Sequence, residues 1–237
     1  MAGEKISENI EEYLEVLYRN GSNGEQVSTT TLSSDLGIAP GSVTQMLKKL
    51  ENLGYIEYTP YKGATLTDEG MKIAQKITRK HRILEKFLMD VLKIKEENIH
   101  EQACEMEHTL SDEAERALCT MLNNPDVCPE NNIIPACNFD FESCQDCYSQ
   151  KDFDKVMNRK FNLLSISELT ADTEGIISFI RGNDELLDDI ANLDIKVGNH
   201  LTYSFDQNIT GTDYRVIIEN EELNIPLEMA NNIFIRL

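Results

Sequence analysis

Residues 29–50, TTTLSSDLGIAPGSVTQMLKKL, decide the fold of the first third of the chain. A short helix is predicted after the Thr29/Thr30 cap, burying Leu32 and Leu36 and stopping at Gly37. Hydroxyl side chains satisfy the open N–H groups at a helix start, and glycine adopts the left-handed conformation that ends one. A second helix starts near Pro40-Gly41-Ser42. Val43, Met46, Leu47 and Leu50 recur in it at helical spacing, which leaves Ser42, Thr44, Gln45, Lys48 and Lys49 facing out, and Gly54 closes it. Upstream, Ile10, Tyr13, Leu14, Leu17 and Tyr18 mark an amphipathic helix with Glu12 and Glu15 on its polar side. Downstream, Tyr55–Thr59 and Ala64–Thr67 are strand-prone runs joined by Pro60-Tyr61-Lys62-Gly63. Helices and hairpin in this order predict a winged helix-turn-helix over residues 1–75, whose last helix enters the major groove of DNA while the hairpin reaches the backbone. Ser42, Thr44 and Gln45 are candidate base readers, and Lys48, Lys49 and Lys62 candidate phosphate contacts. A three-helix cap used for protein contacts would show the same pattern.

From Asp68 a long helix is predicted past His81-Arg82-Ile83-Leu84-Glu85 to Leu92, and the window Ile99–His108 then reads IHEQACEMEH. His100, Cys104, Glu107 and His108 follow at steps of four, three and one, so a helix projects all four onto one side. His81 and Glu85 form an i,i+4 pair. Mixed nitrogen, sulfur and oxygen donors suit a divalent first-row ion such as Fe(II), Mn(II), Ni(II), Co(II) or Zn(II), and argue against calcium or magnesium. Taken singly, each of these residues also fits a solvated helix face or a buried thiol; six donors at compatible spacings point to a metal. Ser111-Asp112-Glu113 opens another helix with Ala114, Ala117, Leu118, Met121 and Leu122 on one apolar face, a domain core or a dimer interface. Residues 76–125 are thus expected to form a helical dimerisation and metal-binding domain.

Residues 126–160 are expected to be a cysteine-rich linker. Helical period is lost from about residue 123, with Pro125, Pro129 and Pro135, and Cys128, Cys137, Cys144 and Cys147 form a C-x8-C-x6-C-x2-C array. Four thiols are the ligand count of a zinc site or an iron–sulfur cluster; a flexible, reduced linker is the other reading. Cys119, on the preceding helix, is assigned to packing. In residues 161–237, short strand-like runs at Gly175–Ile180, His200–Phe205, Tyr214–Ile218 and Ile233–Ile235 surround one helix carrying Leu186, Leu187, Ile190 and Leu193, which suits a small β-barrel. His200 reads as an ordinary strand residue.

The net charge of −20 would argue against nucleic acid if it were uniform. Residues 1–82 carry 10 Lys+Arg against 11 Asp+Glu, and residues 83–237 carry 12 against 31, so the acidity is C-terminal. Within residues 40–82 eight basic residues outnumber four acidic ones, enough for a phosphate-facing surface whose binding weakens with salt. No apolar run approaches the roughly 20 residues of a membrane span, and the first residues lack a signal-peptide pattern. A cytoplasmic protein without membrane partner is expected, its six cysteines metal ligands or buried thiols rather than disulfides. A metallohydrolase would need a general base such as His-Glu-x-x-His beside the ligands; none is present, so neither enzymatic activity nor a small-molecule substrate is expected.

The stretch Arg79-Lys80-His81-Arg82, then Glu85, His100 to His108 and Ser111-Asp112-Glu113-Ala114-Glu115-Arg116 resembles the diphtheria-toxin-repressor family of metal-dependent transcriptional repressors, over about residues 5–125. Arg181-Gly182-Asn183-Asp184-Glu185-Leu186-Leu187 through Val197-Gly198 resembles the FeoA-like, SH3-like barrel that many members append. The resemblance implies a mainly α protein with a small all-β domain. It implies that Cys104, Glu107 and His108 hold the activating metal with Glu12 of the first helix, and that His81, Glu85 and His100 hold an ancillary one. Metal would then act as co-repressor, restraining the two DNA-reading heads of a homodimer on a palindromic operator. Cys104 is the iron-sensor choice, whereas Glu12 and Glu15 match manganese-sensor positions; the soft thiolate favours Fe(II), with Mn(II) second. Ile177 and Ile180 stand where some members complete the ancillary site and cannot ligate, which leaves that site incomplete or finished by water or Glu15. A metal-carrying adaptor docking through its barrel is the reading from another functional class.

Overall fold

The computed structural model describes residues 6–21, 26–205 and 213–237; residues 1–5, where a signal sequence would begin, lie outside them. Two compact units, 1–78 and 79–237, divide inside one long helix, Asp68–Asp90.

The first unit holds α1 (Glu8–Asn20), α2 (Thr29–Leu36), α3 (Pro40–Asn52), β1 (Ile56–Thr59), β2 (Gly63–Leu66) and the start of α4 (Asp68–Asp90). The cap of α2 is Ser28 rather than Thr29 or Thr30: its hydroxyl oxygen accepts from the Thr31 N–H at 3.0 Å. Gly37, at φ 64°, turns the chain into Pro40 at the head of α3. Leu32, Val43, Leu47 and Leu50 are fully buried with Leu14 and Leu17 of α1, and Leu36 and Met46 only partly. Each such aliphatic side chain contributes about 1.5–3 kcal/mol by leaving water. Val27 bridges Ala64 at the edge of the hairpin, and a Cβ on Gly63 would lie 2.4 Å from the Val27 carbonyl oxygen, so this contact requires glycine.

The second unit contains the remainder of α4, α5 (Ile99–Glu107), α6 (Asp112–Met121), α7 (Cys144–Ser149) and a six-stranded sheet. Its strands are β3 (Leu164–Ser165), β4 (Thr173–Ile180), β5 (His200–Tyr203), β6 (Asp213–Ile218), β7 (Glu221–Pro226) and β8 (Ile233–Arg236), with α8 (Asp184–Asn192) and α9 (Leu227–Asn232). They lie in the order β3-β8-β4-β5-β6-β7, every neighbouring pair antiparallel. The expected barrel is therefore an open sheet: the two-residue β3 bonds β8, β7 bonds β6, and among the described residues no pairing joins these two edges. Ile177 and Ile180 are buried in its core with Leu201, Val216, Ile235 and Ile190 of α8, as their apolar side chains dictate.

The apolar stripe expected on α6 splits. Cys119 and Glu115 are buried and Leu118 and Leu122 half-buried, while Ala117 and Met121 are exposed. Residues 126–160, expected as a linker, pack within this unit: Cys137, Phe139 and Cys144 share a core with Phe179 of β4 and Phe234 of β8. Arg181, at 1% exposure, donates to the carbonyls of Ile134 (2.5 Å) and Asn231 (2.9 Å) and to Asn232 Oδ1 (2.7 Å). Arg159 likewise donates to the carbonyls of Cys137 (2.7 Å) and Phe141 (3.0 Å). Backbone carbonyls that no regular element pairs are thereby satisfied by guanidinium forks.

Candidate metal centre

Helical periodicity places His81 and Glu85 on the same side of α4, and His100, Cys104 and Glu107 along α5. Within the second unit these side chains meet. His81 Nε2 lies 3.0 Å from Glu85 Oε1 and 3.1 Å from His100 Nδ1. His81 Nδ1 lies 2.6 Å from Glu107 Oε2 and 3.8 Å from Cys104 Sγ, and Cys104 Sγ is also 3.8 Å from His100 Nε2. Glu107 turns its other oxygen to His108 Nε2 at 3.4 Å. The resemblance divides these residues between two sites; here they are contiguous, with His81 touching both sets. His81 and Glu107 link Cys104 to His108.

The arrangement is rich in acceptors. Each ring nitrogen of His81 faces two lone-pair-bearing partners, yet an imidazole carries at most two protons. His81, Glu85 and Glu107 are 4%, 4% and 1% exposed, while Cys104 is half-buried and His100 exposed, so the cluster is buried on its α4 side and open to water at His100. Burial pushes the Glu85 carboxyl up, but hydrogen bonds and charge from His81, with further hydrogen bonds from Cys128 and His100, more than offset it and hold Glu85 below the ordinary carboxylate value. A divalent first-row cation is what such a set of two imidazoles, a thiol and two carboxylates lacks, and the residues fit one. His81, His100 and Cys104 offer donor atoms all within 4.8 Å of one another.

Spacing groups Cys128 with the other cysteines, but it is buried with Ile83 and Cys119 and lies near enough to Glu85 that burial and the carboxylate together raise its thiol above the ordinary value. The remaining three, Cys137, Cys144 and Cys147, line a separate hollow together with Cys119, the thiol assigned to packing. Spacing along one segment cannot reveal a partner contributed by α6; the Arg116/Cys119 pair, one helical turn apart, was the available signal.

The other expected site residues lie in the first unit. Glu12 is exposed and Glu15 buried on α1. On α3, Ser42, Gln45, Lys48 and Lys49 are exposed, while Thr44 is half-buried and its hydroxyl donates to the Pro40 carbonyl at 2.9 Å. Lys62 is exposed at the hairpin tip beside Tyr61, fully exposed at φ 66°, an aromatic contact candidate that the hairpin pattern did not single out.

Two family descriptions match the chain, "Iron dependent repressor, N-terminal DNA binding domain" over residues 5–64 and "Iron dependent repressor, metal binding and dimerisation domain" over residues 67–136. The chain belongs to the iron-dependent repressor family. It is a metal-dependent transcriptional repressor of the diphtheria-toxin-repressor type, and its family consists of regulators rather than enzymes. It is 45% identical over 109 residues to an HTH-type transcriptional regulator of Methanocaldococcus jannaschii, covering 46% of this chain and 87% of that protein. It is 30% identical over 131 residues to the iron-dependent repressor IdeR of Mycobacterium tuberculosis, a match spanning 55% of this chain and 57% of IdeR. Among solved structures, the manganese regulator SloR is similar at 26% identity and a TM-score of 0.50, over 97% of this chain and 99% of that one. The relatives thus include an iron-dependent and a manganese regulator. Among the described residues no helix is long and apolar enough to cross a membrane.

Proposed function

We propose that this repressor is Fe(II)-responsive and binds a palindromic operator as a homodimer, metal serving as co-repressor. The observation that supports it is the buried His81 cluster, where a soft thiol, Cys104, stands 3.8 Å from both imidazoles. Bound metal would supply positive charge that draws these donors together. His81, Glu85, His100, Cys104, Glu107 and His108 are the ligands of the second unit, and Glu12 and Glu15 of α1 those of the first. If this ligand set is assembled only in the DNA-competent arrangement, metal and operator must raise each other's affinity by the same factor. Mn(II) is the second reading, favoured by the two carboxylates Glu85 and Glu107 within the cluster.

The test is an anaerobic titration of metal-free protein with Fe(II), Mn(II) and Zn(II), read as affinity for an operator selected from random DNA. Fe(II) is expected to activate at the lowest concentration. In Cys104→Ser that activation should weaken by about tenfold or more while the protein remains dimeric; unchanged operator affinity at limiting Fe(II) would overturn the ligand assignment. For DNA, Gln45→Ala is expected to relax preference at one base position by about 1–3 kcal/mol with the salt slope nearly unchanged. A uniform loss on all sequences would make Gln45 a positioning residue instead.

A further inference from the structure

We propose that Cys119, Cys137, Cys144 and Cys147 are the ligands of a [4Fe–4S] cluster, a site distinct from the His81 centre. The four thiols line one hollow in the second unit, contributed by α6, the segment after Ile134, and the two ends of the Cys-x-x-Cys turn of α7. All six cysteines of the chain are free thiols.

The spacing of the sulfurs selects the kind of centre. A single tetrahedral zinc with bonds of about 2.3 Å would hold its sulfurs about 3.8 Å apart. Among the described residues no three of these sulfurs approach within 4.8 Å of one another, although all four face the same hollow. A polynuclear core bound by four thiolates is the centre that spans a wider set.

Two of the sulfurs are also provided with an N–H donor. Arg79 Nη2 donates to Cys119 Sγ at 3.0 Å and Arg116 Nε to Cys147 Sγ at 3.2 Å. The Arg159 guanidinium bonds the Cys137 carbonyl at 2.7 Å, which keeps a cation beside the third thiol. N–H donors to ligand sulfurs are what a thiolate cluster uses to spread its negative charge.

The charge of the walls agrees. Of the lining guanidiniums, Arg79 and Arg181 are 3% and 1% exposed and Arg116 is half-buried; Arg159, 6% exposed, stands behind Cys137 on its carbonyl. Against them stands one directly bonded carboxylate, Glu115, 2.7 Å from Arg79 Nε, with Asp126 and the exposed Asp140 acting on Arg181 and Arg159. The other guanidinium partners shown are carbonyls, an amide oxygen, sulfur and aromatic rings. Burial holds Arg181 down at about 10, with the Arg79 charge adding to the effect, as expected of a cation short of anions. The thiols do not supply the missing charge by themselves, since burial pushes Cys144 up to about 12 and raises Cys119 and Cys147. Binding of a [4Fe–4S]2+ core would release four protons from four thiols and leave a dianion among these guanidiniums.

The experiment is anaerobic reconstitution of the full chain with equal amounts of ferric and ferrous iron and with sulfide, which together match the oxidation level of the 2+ core, followed by iron and acid-labile sulfide analysis, visible absorption and electron paramagnetic resonance after reduction. The expected result is about four sulfides per chain with a cluster spectrum, retained in Cys104→Ser and Cys128→Ser and lost in Cys119→Ser. Cys147→Ser, at the least buried of the four thiols, provides a second ligand variant where Cys119→Ser fails to fold. A cluster that survives in Cys119→Ser or is lost in Cys128→Ser would overturn the ligand assignment. One tightly held zinc with no sulfide uptake, a Cys144–Cys147 disulfide, or no incorporation at all would overturn the cluster itself.

Discussion

Replacing His81 with alanine is expected to lower metal affinity by about 100-fold or more, and to take metal-stimulated operator binding with it. Ligands and the groups that orient them each carry about one to two decades of affinity, and His81 does both. One ring nitrogen faces Glu85 and His100, the other Glu107 and Cys104. Without the imidazole, two carboxylates of 4% and 1% exposure remain buried with neither their shared donor nor their link to the thiol. Two decades correspond to about 2.7 kcal/mol. Equilibrium dialysis with Fe(II) and operator titration on the same sample measure the two losses, and circular dichroism of the metal-free protein checks the fold. His81→Gln, which keeps a polar group of similar reach, should restore packing but not metal response. Metal-stimulated DNA binding within about threefold of wild type in His81→Ala would remove this cluster from the mechanism.

The largest effect on stability is expected for Arg181→Met. The guanidinium satisfies the carbonyls of Ile134 and Asn231 and the Asn232 amide oxygen, and packs 4.9 Å from the Phe234 ring centroid. Methionine fills much of the volume but leaves these acceptors without donors, each costing about 1–3 kcal/mol. A loss of about 3–5 kcal/mol in urea unfolding of the second unit is expected. A change below about 1 kcal/mol would mean that the burial cost of the cation already cancels its bonds.

Much of this was legible from residue order. The buried positions of the first unit, Leu32, Val43, Leu47 and Leu50, follow from helical spacing, and so does the meeting of His81 with Glu85. Local period is a property of neighbours, so it was silent on pairings between distant segments. It grouped Cys128 with Cys137, Cys144 and Cys147, whereas the hollow that those three line is shared with Cys119 of α6, a residue outside that segment. Glu221–Pro226, EELNIP, carries too few β-branched residues to announce β7, which forms because β6 offers it a full ladder from Asp213 to Ile218. The edge strand β3 was not legible either, since its two residues are too few for any propensity scale to resolve.

The placement of Arg79 has a further consequence. It stands two residues before His81 on α4 and grips Glu115, Cys119 and the Pro135 carbonyl. A shift of that helix large enough to reset the imidazole must drag a guanidinium out of its fork, and filling the thiol hollow would stiffen the same rod. With both centres filled, one turn of backbone would work as a crankshaft on which two chemically different inputs bear.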